Sequence, residues 1–388
     1  MKIFHTADWH LGKLVQGIYM TEEQDYVLKQ FIEEIDSEKP DVIIIAGDLY
    51  DRAVPPAEAV NLLDKVLAEI VLKRHIPVLS IAGNHDSPGR LNFGSSIMKE
   101  TGLHIVGQLT RDIKTVKITD KDGEVHFHLV PYADPSQVRY LWQDESISTH
   151  HHAMKKVVEE IEKNMQPGER HVFIGHAFVT THGQAEENTS DSERPLAIGG
   201  AEYVEASLFQ NFHYTALGHL HQAHYVSNET VRYAGSPLKY SISEEHHQKG
   251  FFIVELDGLG QMKVEKRLLK PRRDMWTVEG FLQDILKHEK NEDFVFVKLL
   301  DETPILSPME QIRTVYPNAM HVERKVFQTT KAVSENGQVP RRKMDDFGLF
   351  QSFYTEVNGK EPSDTTKKLF QEILSEMLIE KREGEVKS

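Results

Sequence analysis

Five apolar segments in the first two thirds of the chain each run directly into a short motif of aspartate, asparagine or histidine, four of them with a glycine at the junction. Residues that follow strands gather at the carboxyl edge of an α/β sheet, and a glycine before a polar residue lets the chain turn sharply there. Packing of a core does not require such a set, so the pattern predicts an α/β fold with a polar site at its strand ends. The five motifs are Asp8-Trp9-His10, Gly47-Asp48-Leu49-Tyr50-Asp51, Gly83-Asn84-His85-Asp86, Gly175-His176 and Gly218-His219-Leu220-His221.

The order of the predicted elements supports this fold class. Short runs rich in valine and isoleucine indicate strands, and amphipathic stretches between the early ones indicate helices over Glu22–Glu38 and Ala57–Lys73. Such alternation is typical of a domain in which helices cover a sheet. The predicted strands are Lys2–Thr6, Asp41–Ala46, Pro77–Ala82, Val125–Pro131, His171–Ile174, His213–Leu217 and Phe251–Leu256.

The last third of the chain predicts smaller units after a hinge at Pro271-Arg272-Arg273. A polar stretch containing Gly337 and Pro340 indicates a flexible linker. We therefore expect one large domain over 1–270, a small α/β domain over 271–328, a linker over 329–344 and amphipathic helices within 345–388. The elements predicted beyond the hinge are helix Val278–His288, strand Asp293–Leu300, helix Pro308–Tyr316, strand His321–Lys325, and helices Asp345–Tyr354 and Ser363–Lys381.

Composition limits the kinds of chemistry that the chain can perform. It has no cysteine, which excludes disulfides, thiolate zinc sites and thiol catalysis. The formal net charge of −15 argues against a protein that coats DNA with a basic surface, although bound cations would allow local contact with phosphates. No apolar run approaches the roughly 20 residues that cross a bilayer, and the N-terminus turns polar too soon for a signal peptide. We expect a cytoplasmic protein.

The residue types in the five motifs are those that hold divalent transition metals. Two cations roughly 3.5–4 Å apart can clamp the attacking and leaving oxygens of a phosphoryl transfer. Such a pair needs a bridging carboxylate, and Asp48 is the natural candidate. A mixed set of oxygen and nitrogen ligands suits manganese, iron, zinc or cobalt better than magnesium alone. The sequence therefore predicts a two-metal phosphoesterase.

Each motif taken alone has a plainer interpretation as a turn or a surface loop, and only their occurrence together favours a metal centre. Arg52 and Arg90 lie beside motifs, where they would either grip a phosphate or form ordinary salt bridges. Trp9 and Tyr50 are expected to pack around the site. The run His150-His151-His152 is expected at the solvated surface. A surface or core position is expected for the isolated histidines, which are His182, His213, His224, His246 and His247.

These motifs, in this order, resemble the calcineurin-like metallophosphoesterase superfamily over about residues 1–260. Further strings resemble the SbcD family within it, the nuclease subunits of bacterial SbcC–SbcD complexes, and that similarity spans nearly the whole chain. The strings are His176-Ala177-Phe178-Val179, Ser192-Glu193-Arg194-Pro195, Gly199-Gly200 and Arg232-Tyr233-Ala234-Gly235-Ser236-Pro237.

The resemblance implies a two-sheet αββα sandwich with a small α/β cap that recognises DNA. It assigns a non-ligand catalytic role to His85, which would protonate the leaving oxygen or stabilise the pentavalent phosphorus. Asp51 would orient His85. Transferred position by position, it assigns one metal to Asp8, His10, Asp48 and His221, and the other to Asp48, Asn84, His176 and His219.

The resemblance also implies the biology. A manganese-dependent enzyme would cleave duplex DNA as a 3′–5′ exonuclease and single strands or hairpins as an endonuclease, in DNA repair, recombination and replication. The C-terminal helices would dock on the coiled coil of an SbcC-type ATPase, or else pack on their own chain. Helices of the nuclease domain would form a homodimer within a heterotetramer, and the complex would be cytoplasmic and associated with the nucleoid.

Two other functions are compatible with the motifs alone. A phosphomonoesterase or a cyclic-nucleotide phosphodiesterase would use the same metals, because substrate choice lies in loops and in the cap. A protein that bridges DNA ends as a scaffold, with vestigial metal chemistry, is the alternative from another class. The intact ligand set argues against the scaffold.

Overall fold

The computed structural model describes residues 1–183, 190–191, 193, 202–301, 303–324, 346–371 and 373–374. No helix in these ranges is long and apolar enough to cross a membrane. The strands, in chain order, are β1 Lys2–Thr6, β2 Leu14–Val15, β3 Ile18–Tyr19, β4 Val42–Ala46, β5 Val78–Ile81, β6 Leu103–Val106, β7 Thr115–Asp120, β8 Gly123–Val130, β9 Arg170–His176, β10 Phe178–Thr180, β11 Tyr203–Glu205, β12 Tyr214–Gly218, β13 His224–Val226, β14 Asn228–Tyr233, β15 Gly250–Leu256, β16 Met262–Leu268, β17 Met275–Gly280, β18 Phe294–Leu299 and β19 His321–Arg324.

The α-helices are mostly short, and α1 is the longest of those that the structure describes. The second helix continues beyond Ala68 as a π-helical turn over Glu69–Lys73, so the single predicted helix Ala57–Lys73 has two geometries. The helices are α1 Thr21–Glu38, α2 Ala57–Ala68, α3 Pro88–Asn92, α4 Ser95–Met98, α5 Pro135–Trp142, α6 His150–Glu162, α7 Leu282–Ile285, α8 Pro308–Ile312 and α9 Asp346–Asn358.

Two six-stranded sheets form the main body. The first has the strand order β16-β15-β1-β4-β5-β6 and the second β13-β14-β12-β9-β8-β7. Because side chains alternate between the two faces of a strand, each central strand presents one apolar face to the other sheet. Ile44 and Leu79 of the first sheet and Phe127 and Ile174 of the second are fully buried in this shared core.

Helices cover the outer face of each sheet. On the first sheet, α1 and α2 contribute Phe31, Ile35 and Leu63 to a second buried cluster. On the second sheet, α6 contributes Val157 and Ile161 to a third. The layers therefore follow the order helix, sheet, sheet, helix, which confirms the predicted αββα sandwich.

All seven predicted strands form, with ends that differ from the prediction by up to two residues. The sequence did not predict several strands at or beside sheet edges, such as β7 and β16. These strands carry charged residues on an exposed face, and Lys263, Glu265 and Arg267 of β16 illustrate the pattern. An edge strand needs only half of an apolar pattern, so its signal is weaker.

One prediction beyond residue 270 is wrong. Met275–Gly280 forms β17, which pairs in parallel with β18, whereas the sequence predicted a helix over Val278–His288. Only Leu282–Ile285 is helical within that range. Met275 and Val278 are buried in the same compact unit as residues 1–270, so packing outweighs the local helical pattern. The domain boundary at residue 270 stays a prediction.

A second compact unit contains the C-terminal helices. Helix α9 and a helix over 364–371 pair through the stacked rings of Phe350 and Phe370, whose centroids are 3.9 Å apart. The hydroxyl of Ser363 accepts a hydrogen bond from the amide of Thr366 and so caps the N-terminus of the second helix. The predicted linker over 329–344 and the end of the last predicted helix lie outside the described residues, as does the predicted strand end at Lys325.

Candidate metal centre

The five motifs meet at one place, where the carboxyl ends of β1, β4 and β5 in one sheet face those of β9 and β12 in the other. Six of the seven predicted metal ligands are buried, and the seventh, Asn84, is half-buried. The structure therefore brings together side chains that are more than two hundred positions apart. The six buried ligands are Asp8, His10, Asp48, His176, His219 and His221.

Asp48 lies in the middle of this set, as a bridging carboxylate must. Its Oδ2 atom lies 3.6 Å from Nε2 of His10 and 3.4 Å from Nε2 of His176. Its other oxygen, Oδ1, accepts a hydrogen bond of 2.8 Å from the main-chain amide of His85. One oxygen atom thus faces a histidine from each of the two predicted ligand groups.

The first ligand group surrounds His10. Nε2 of His10 and Nε2 of His221 are 3.0 Å apart. Two nitrogen ligands at right angles around one cation, each about 2.1 Å from it, would be about 3 Å apart. The ligand atoms of Asp8, His10 and Asp48 all lie within 4.8 Å of one another. Asp8 also accepts a hydrogen bond from the main-chain amide of His219, which connects the first ligand group to the second.

The second ligand group surrounds Asn84. Its Oδ1 atom lies 3.0 Å from Nε2 of His176 and 3.3 Å from Nδ1 of His219. Nδ1 of His176 donates to the carbonyl of Ala46, so the neutral ring has its lone pair at Nε2. That lone pair faces the oxygens of Asn84 and Asp48. Three electron-rich atoms facing one another are stabilised by a positive charge between them, either a proton on Nε2 or a metal cation, and the residues therefore fit a divalent metal.

The electrostatics around His176 favour positive charge. Burial alone would lower the pKa of His176, but the Asp48 carboxylate outweighs this effect and raises that pKa to about 9. Burial raises the pKa of Asp8 to about 7, even though His176 and His221 oppose the shift. A buried site in which imidazole gains a proton despite its desolvation is also a site that stabilises a metal cation.

Four of the predicted ligands have left-handed backbone conformations, which are uncommon for residues other than glycine. The φ angles are 52° at Asp8, 44° at His10, 47° at Asp48 and 109° at His219. Such conformations cost about 1–3 kcal/mol each and persist where the surrounding structure holds them. Here they turn ligands that follow extended strands back towards one another.

The glycines in the motifs serve mainly to allow close approach. A Cβ atom at Gly47 would lie 2.2 Å from Nδ1 of His176, and one at Gly218 would lie 1.9 Å from the carbonyl oxygen of Ala46. Only Gly47 of the four motif glycines has a positive φ, 92°. A sharp turn, which the sequence predicted as the reason for these glycines, is therefore needed only at Gly47. At the other three positions glycine is needed because no side chain would fit.

Two buried charged residues behind His221, Glu244 and Lys249, were not predicted from the sequence. Glu244 accepts from Nδ1 of His221 at 3.0 Å, and its other oxygen forms a 2.6 Å ion pair with Lys249. Burial raises the pKa of a carboxyl, but Lys249 and His221 hold the pKa of Glu244 well below its ordinary value. A carboxylate behind a ligating histidine fixes the tautomer of the ring. Only proximity in the fold reveals this role, since Glu244 belongs to no motif.

His85 lies beside the first ligand group, with its ring centroid 4.7 Å from that of His10. Nδ1 of His85 donates to the main-chain carbonyl of Asp51 at 2.8 Å. The carboxylate of Asp51 instead pairs with Lys13 at 2.8 Å and lies 3.6 Å from Nδ1 of His10. An orienting contact between Asp51 and His85 is therefore present, and it uses the main chain.

The two arginines beside the motifs are exposed, and neither forms an ion pair with any residue in the described ranges. Within the part of the chain that the structure describes, no ordinary salt bridge accounts for Arg52 or Arg90. Trp9 is fully buried and donates to the hydroxyl of Thr6. His150, expected at the surface, is buried at the start of α6 because its ring packs near Tyr132.

Comparison with known proteins gives the family. A sequence model of the calcineurin-like phosphoesterases matches residues 1–223, more than half of the chain. A second, described as the C-terminal domain of a type 5 capsule protein repressor, matches residues 271–358. The SbcD subunit of nuclease SbcCD from Staphylococcus saprophyticus is 34% identical over 386 residues, which cover 98% of this chain and 99% of that protein.

Two solved structures also align with the chain. A dimetal phosphatase from Danio rerio shares 12% identity over 69% of this chain and 96% of that one, with a TM-score of 0.39. A protein from Thermus thermophilus shares 10% identity over 68% and 98%, with a TM-score of 0.38. The family match and the full-length relative decide the assignment: the chain is a metal-dependent phosphodiesterase of the calcineurin-like family and belongs, within it, to the SbcD-type nucleases.

Proposed function

We propose that the chain hydrolyses DNA phosphodiesters with two divalent metal ions, most effectively manganese, as the nuclease subunit of an SbcC–SbcD-type complex in DNA repair and recombination. One ion is held by Asp8, His10, Asp48 and His221, and the other by Asp48, Asn84, His176 and His219. The observation that carries the proposal is the position of Asp48 Oδ2, within 3.6 Å of one histidine from each group.

When bound, the two cations neutralise charge that develops on the phosphate oxygens and activate water at neutral pH. The protein contributes the position of a proton. Because Nδ1 of His85 donates to the carbonyl of Asp51, protonation of this ring places the second proton on Nε2. That proton is the one that His85 gives to the departing 3′-oxygen, and Asp51 holds the ring in place through its main chain.

Substrate contacts would come from groups around the metal site. Arg52 and Arg90 are exposed cations beside the ligand motifs, and a guanidinium matches the geometry of a phosphate. Each would grip a phosphate next to the scissile bond. The region from residue 271 would form the cap that recognises DNA. The 3′–5′ polarity on duplex ends and the endonuclease action on single strands and hairpins are part of this proposal.

The C-terminal helices would bind the ATPase partner through apolar side chains that their own pairing leaves exposed. Phe350 and Phe370 are used in the contact between the two helices, whereas Phe353 is 65% exposed. Val357, Leu369 and Ile373 are also at least half exposed. These side chains would dock on the coiled coil of an SbcC-type ATPase, whose ATP-dependent movement would control access of DNA.

The decisive experiment compares DNA with small phosphate esters as substrates. We expect purified protein with Mn²⁺ to degrade labelled duplex DNA, and His85→Ala to reduce that rate by roughly 10²–10⁴-fold, as expected for loss of a proton donor. Metal content should be unchanged, since His85 is not a ligand. His182→Ala, at an exposed histidine, should retain full activity.

Three outcomes would contradict the proposal. Full nuclease activity in His85→Ala would remove the proposed role of His85. Turnover of a chromogenic phosphomonoester or a cyclic nucleotide without any cleavage of DNA would move the chain to the phosphomonoesterase or cyclic-nucleotide alternative. Failure to retain metal under any conditions would favour a DNA-bridging scaffold.

A further inference from the structure

A second group of metal-ligand side chains lies on the other side of the second sheet. His126 of β8 and His171 of β9 are register partners on these neighbouring parallel strands, and Glu169 directly precedes β9. Val125, Phe127 and Val172 alternate with them and face the core between the sheets, so both histidines lie on the outer face. His171 is five residues before His176, about 16 Å along an extended strand.

We propose that His126, Glu169 and His171 form an additional divalent-cation site, separate from the dinuclear centre. The ligand atoms of the three residues all lie within 4.8 Å of one another. One carboxylate oxygen, Oε2 of Glu169, lies 3.5 Å from Nδ1 of His126 and 3.3 Å from Nε2 of His171. Two imidazoles and a carboxylate, with water in the fourth position, are a ligand set that zinc accepts.

The strongest support is the unsatisfied nitrogen of His171. This residue is only 2% exposed, and its Nε2 atom is inaccessible to solvent without making a hydrogen bond. Buried polar groups nearly always have partners, so this atom requires an explanation. It points to the carboxylate of Glu169 without reaching hydrogen-bond geometry, which is the arrangement that a cation between the two atoms would stabilise.

Hydrogen bonds behind His171 define which of its nitrogens can ligate. Nδ1 of His171 lies 3.1 Å from Nε2 of His128, and Nδ1 of His128 lies 3.0 Å from the hydroxyl of Thr115. If His171 donates to His128 and His128 donates to Thr115, the lone pair of His171 lies at Nε2, towards Glu169. The reverse direction would put a proton on Nε2 without an acceptor in hydrogen-bond geometry.

His126 has a similar partner behind it. Its Nε2 atom lies 3.4 Å from Oε2 of Glu124, which leaves Nδ1 directed to Glu169. Ligating histidines commonly donate their second ring nitrogen to a carboxylate. The ammonium of Lys117 lies 3.2 Å from the same oxygen of Glu124. His213 accepts the main-chain amide of His171 and takes no part in the proposed site.

Zinc stoichiometry tests the site in the full chain. We expect Glu169→Gln to bind one Zn²⁺ fewer per chain than Glu229→Gln, a matched change at a 77% exposed position on the same sheet. Glu169 is 31% exposed, so an isosteric amide should leave folding intact. Elemental analysis after chelation and reloading with Zn²⁺ gives the counts, and circular dichroism checks the fold.

The same pair of variants is then compared with Asp48→Asn added to both. Because Asp48→Asn disables the dinuclear centre, the number of Zn²⁺ ions bound per chain should fall in both double variants. The variant with Glu169→Gln should still bind one Zn²⁺ fewer than the variant with Glu229→Gln. Failure of the proposed nuclease centre and failure of this site are therefore distinguishable. Equal zinc content in the two variants would overturn the inference.

An affinity measurement with Glu124→Gln gives a second test that does not remove a ligand. We expect this change to weaken Zn²⁺ binding at the site by roughly 10–100-fold, because the partner of the His126 ring is altered. Competition with a chelating dye measures the affinity. An unchanged affinity in a variant whose fold is intact would contradict the proposed orientation of His126.

Discussion

Gly83 shows how a residue without a functional group can determine a metal site. A Cβ atom at this position would lie 2.1 Å from Oδ1 of Asp48 and 2.5 Å from its main-chain nitrogen, far inside contact distance. The sequence located the motif correctly because Asn84 and His85 follow Gly83. It could not show which neighbour requires the glycine, because Asp48 lies on another strand.

We therefore expect Gly83→Ala to displace the bridging carboxylate and reduce nuclease activity by about 100-fold, the scale of loss that a misplacement of about 1 Å produces. Gly89→Ala is a suitable control, because the nearest atom to a Cβ there is 3.8 Å away and its φ is not positive. Steady-state rates at saturating Mn²⁺ measure the effect. Equal activity of the two variants would show that Asp48 is free to move.

Glu244 supports a second prediction about single side chains. The ammonium of Lys249 lies 2.6 Å from one carboxylate oxygen of Glu244, and His221 contacts the other. In Glu244→Gln an amide nitrogen would replace one of these oxygens and would face either Lys249 or His221. Either arrangement disturbs the ring of His221. We expect the Mn²⁺ concentration for half-maximal activity to rise by roughly 10–100-fold. Glu265→Gln, at a 57% exposed position, should leave that concentration unchanged; a similar rise there would assign the effect to net charge.

Among the strands, β1 could be predicted fully and still contained an unexpected contact. The burial of Ile3 and Phe4 follows from their apolar side chains. His5, also in β1, is fully buried as well, and its ring lies towards the second sheet. Nδ1 of His5 accepts from the hydroxyl of Tyr214, and Nε2 donates to the carbonyl of Leu217, both in β12. Sequence patterns predict strands well because they are local, whereas a polar contact between two sheets depends on the complete fold.

This contact predicts a pH dependence of stability. Burial lowers the pKa of His5 to about 3, against an ordinary value of 6.5. Between these pH values the unfolded chain binds more protons, so the stabilisation is complete above pH 6.5 and declines as the pH falls, by about 1.4 kcal/mol per pH unit. Urea unfolding at pH 7.5 and 5.5 should show a smaller decline for His5→Gln than for the original chain. Identical declines would contradict the prediction.

Across the whole molecule, the metal ligands could be predicted from the sequence, whereas the charged residues around them could not, and the difference has a physical reason. Metal ligands at strand ends carry a pattern along the chain, and all seven predicted ligands lie in one site. Lys249 and Glu244 carry none, because their charges are balanced only by residues that folding brings to them. The wrongly predicted helix after residue 277 has the same cause: burial of Met275 against the main body favours a strand.

The proposed homodimer is a property of the whole molecule that the exposed surface allows us to test. Phe93 beside α3 is 85% exposed, Ile97 in α4 is 78% exposed and Tyr140 in α5 is 82% exposed. Large exposed apolar side chains that gather into one patch are typical of an interface. We expect the chain to be a dimer at micromolar concentration, and a second copy to cover these residues.

Aspartate at such a position would be buried without a partner in the dimer, which is strongly unfavourable, but would be harmless in the monomer. Ile97→Asp should therefore give a monomer of unchanged thermal stability. Leu259→Asp, at a position that is 85% exposed in the turn between β15 and β16, should remain a dimer. Light scattering coupled to size exclusion distinguishes the two states. A monomeric original chain, or a dimer that survives Ile97→Asp, would place the association of subunits on another surface.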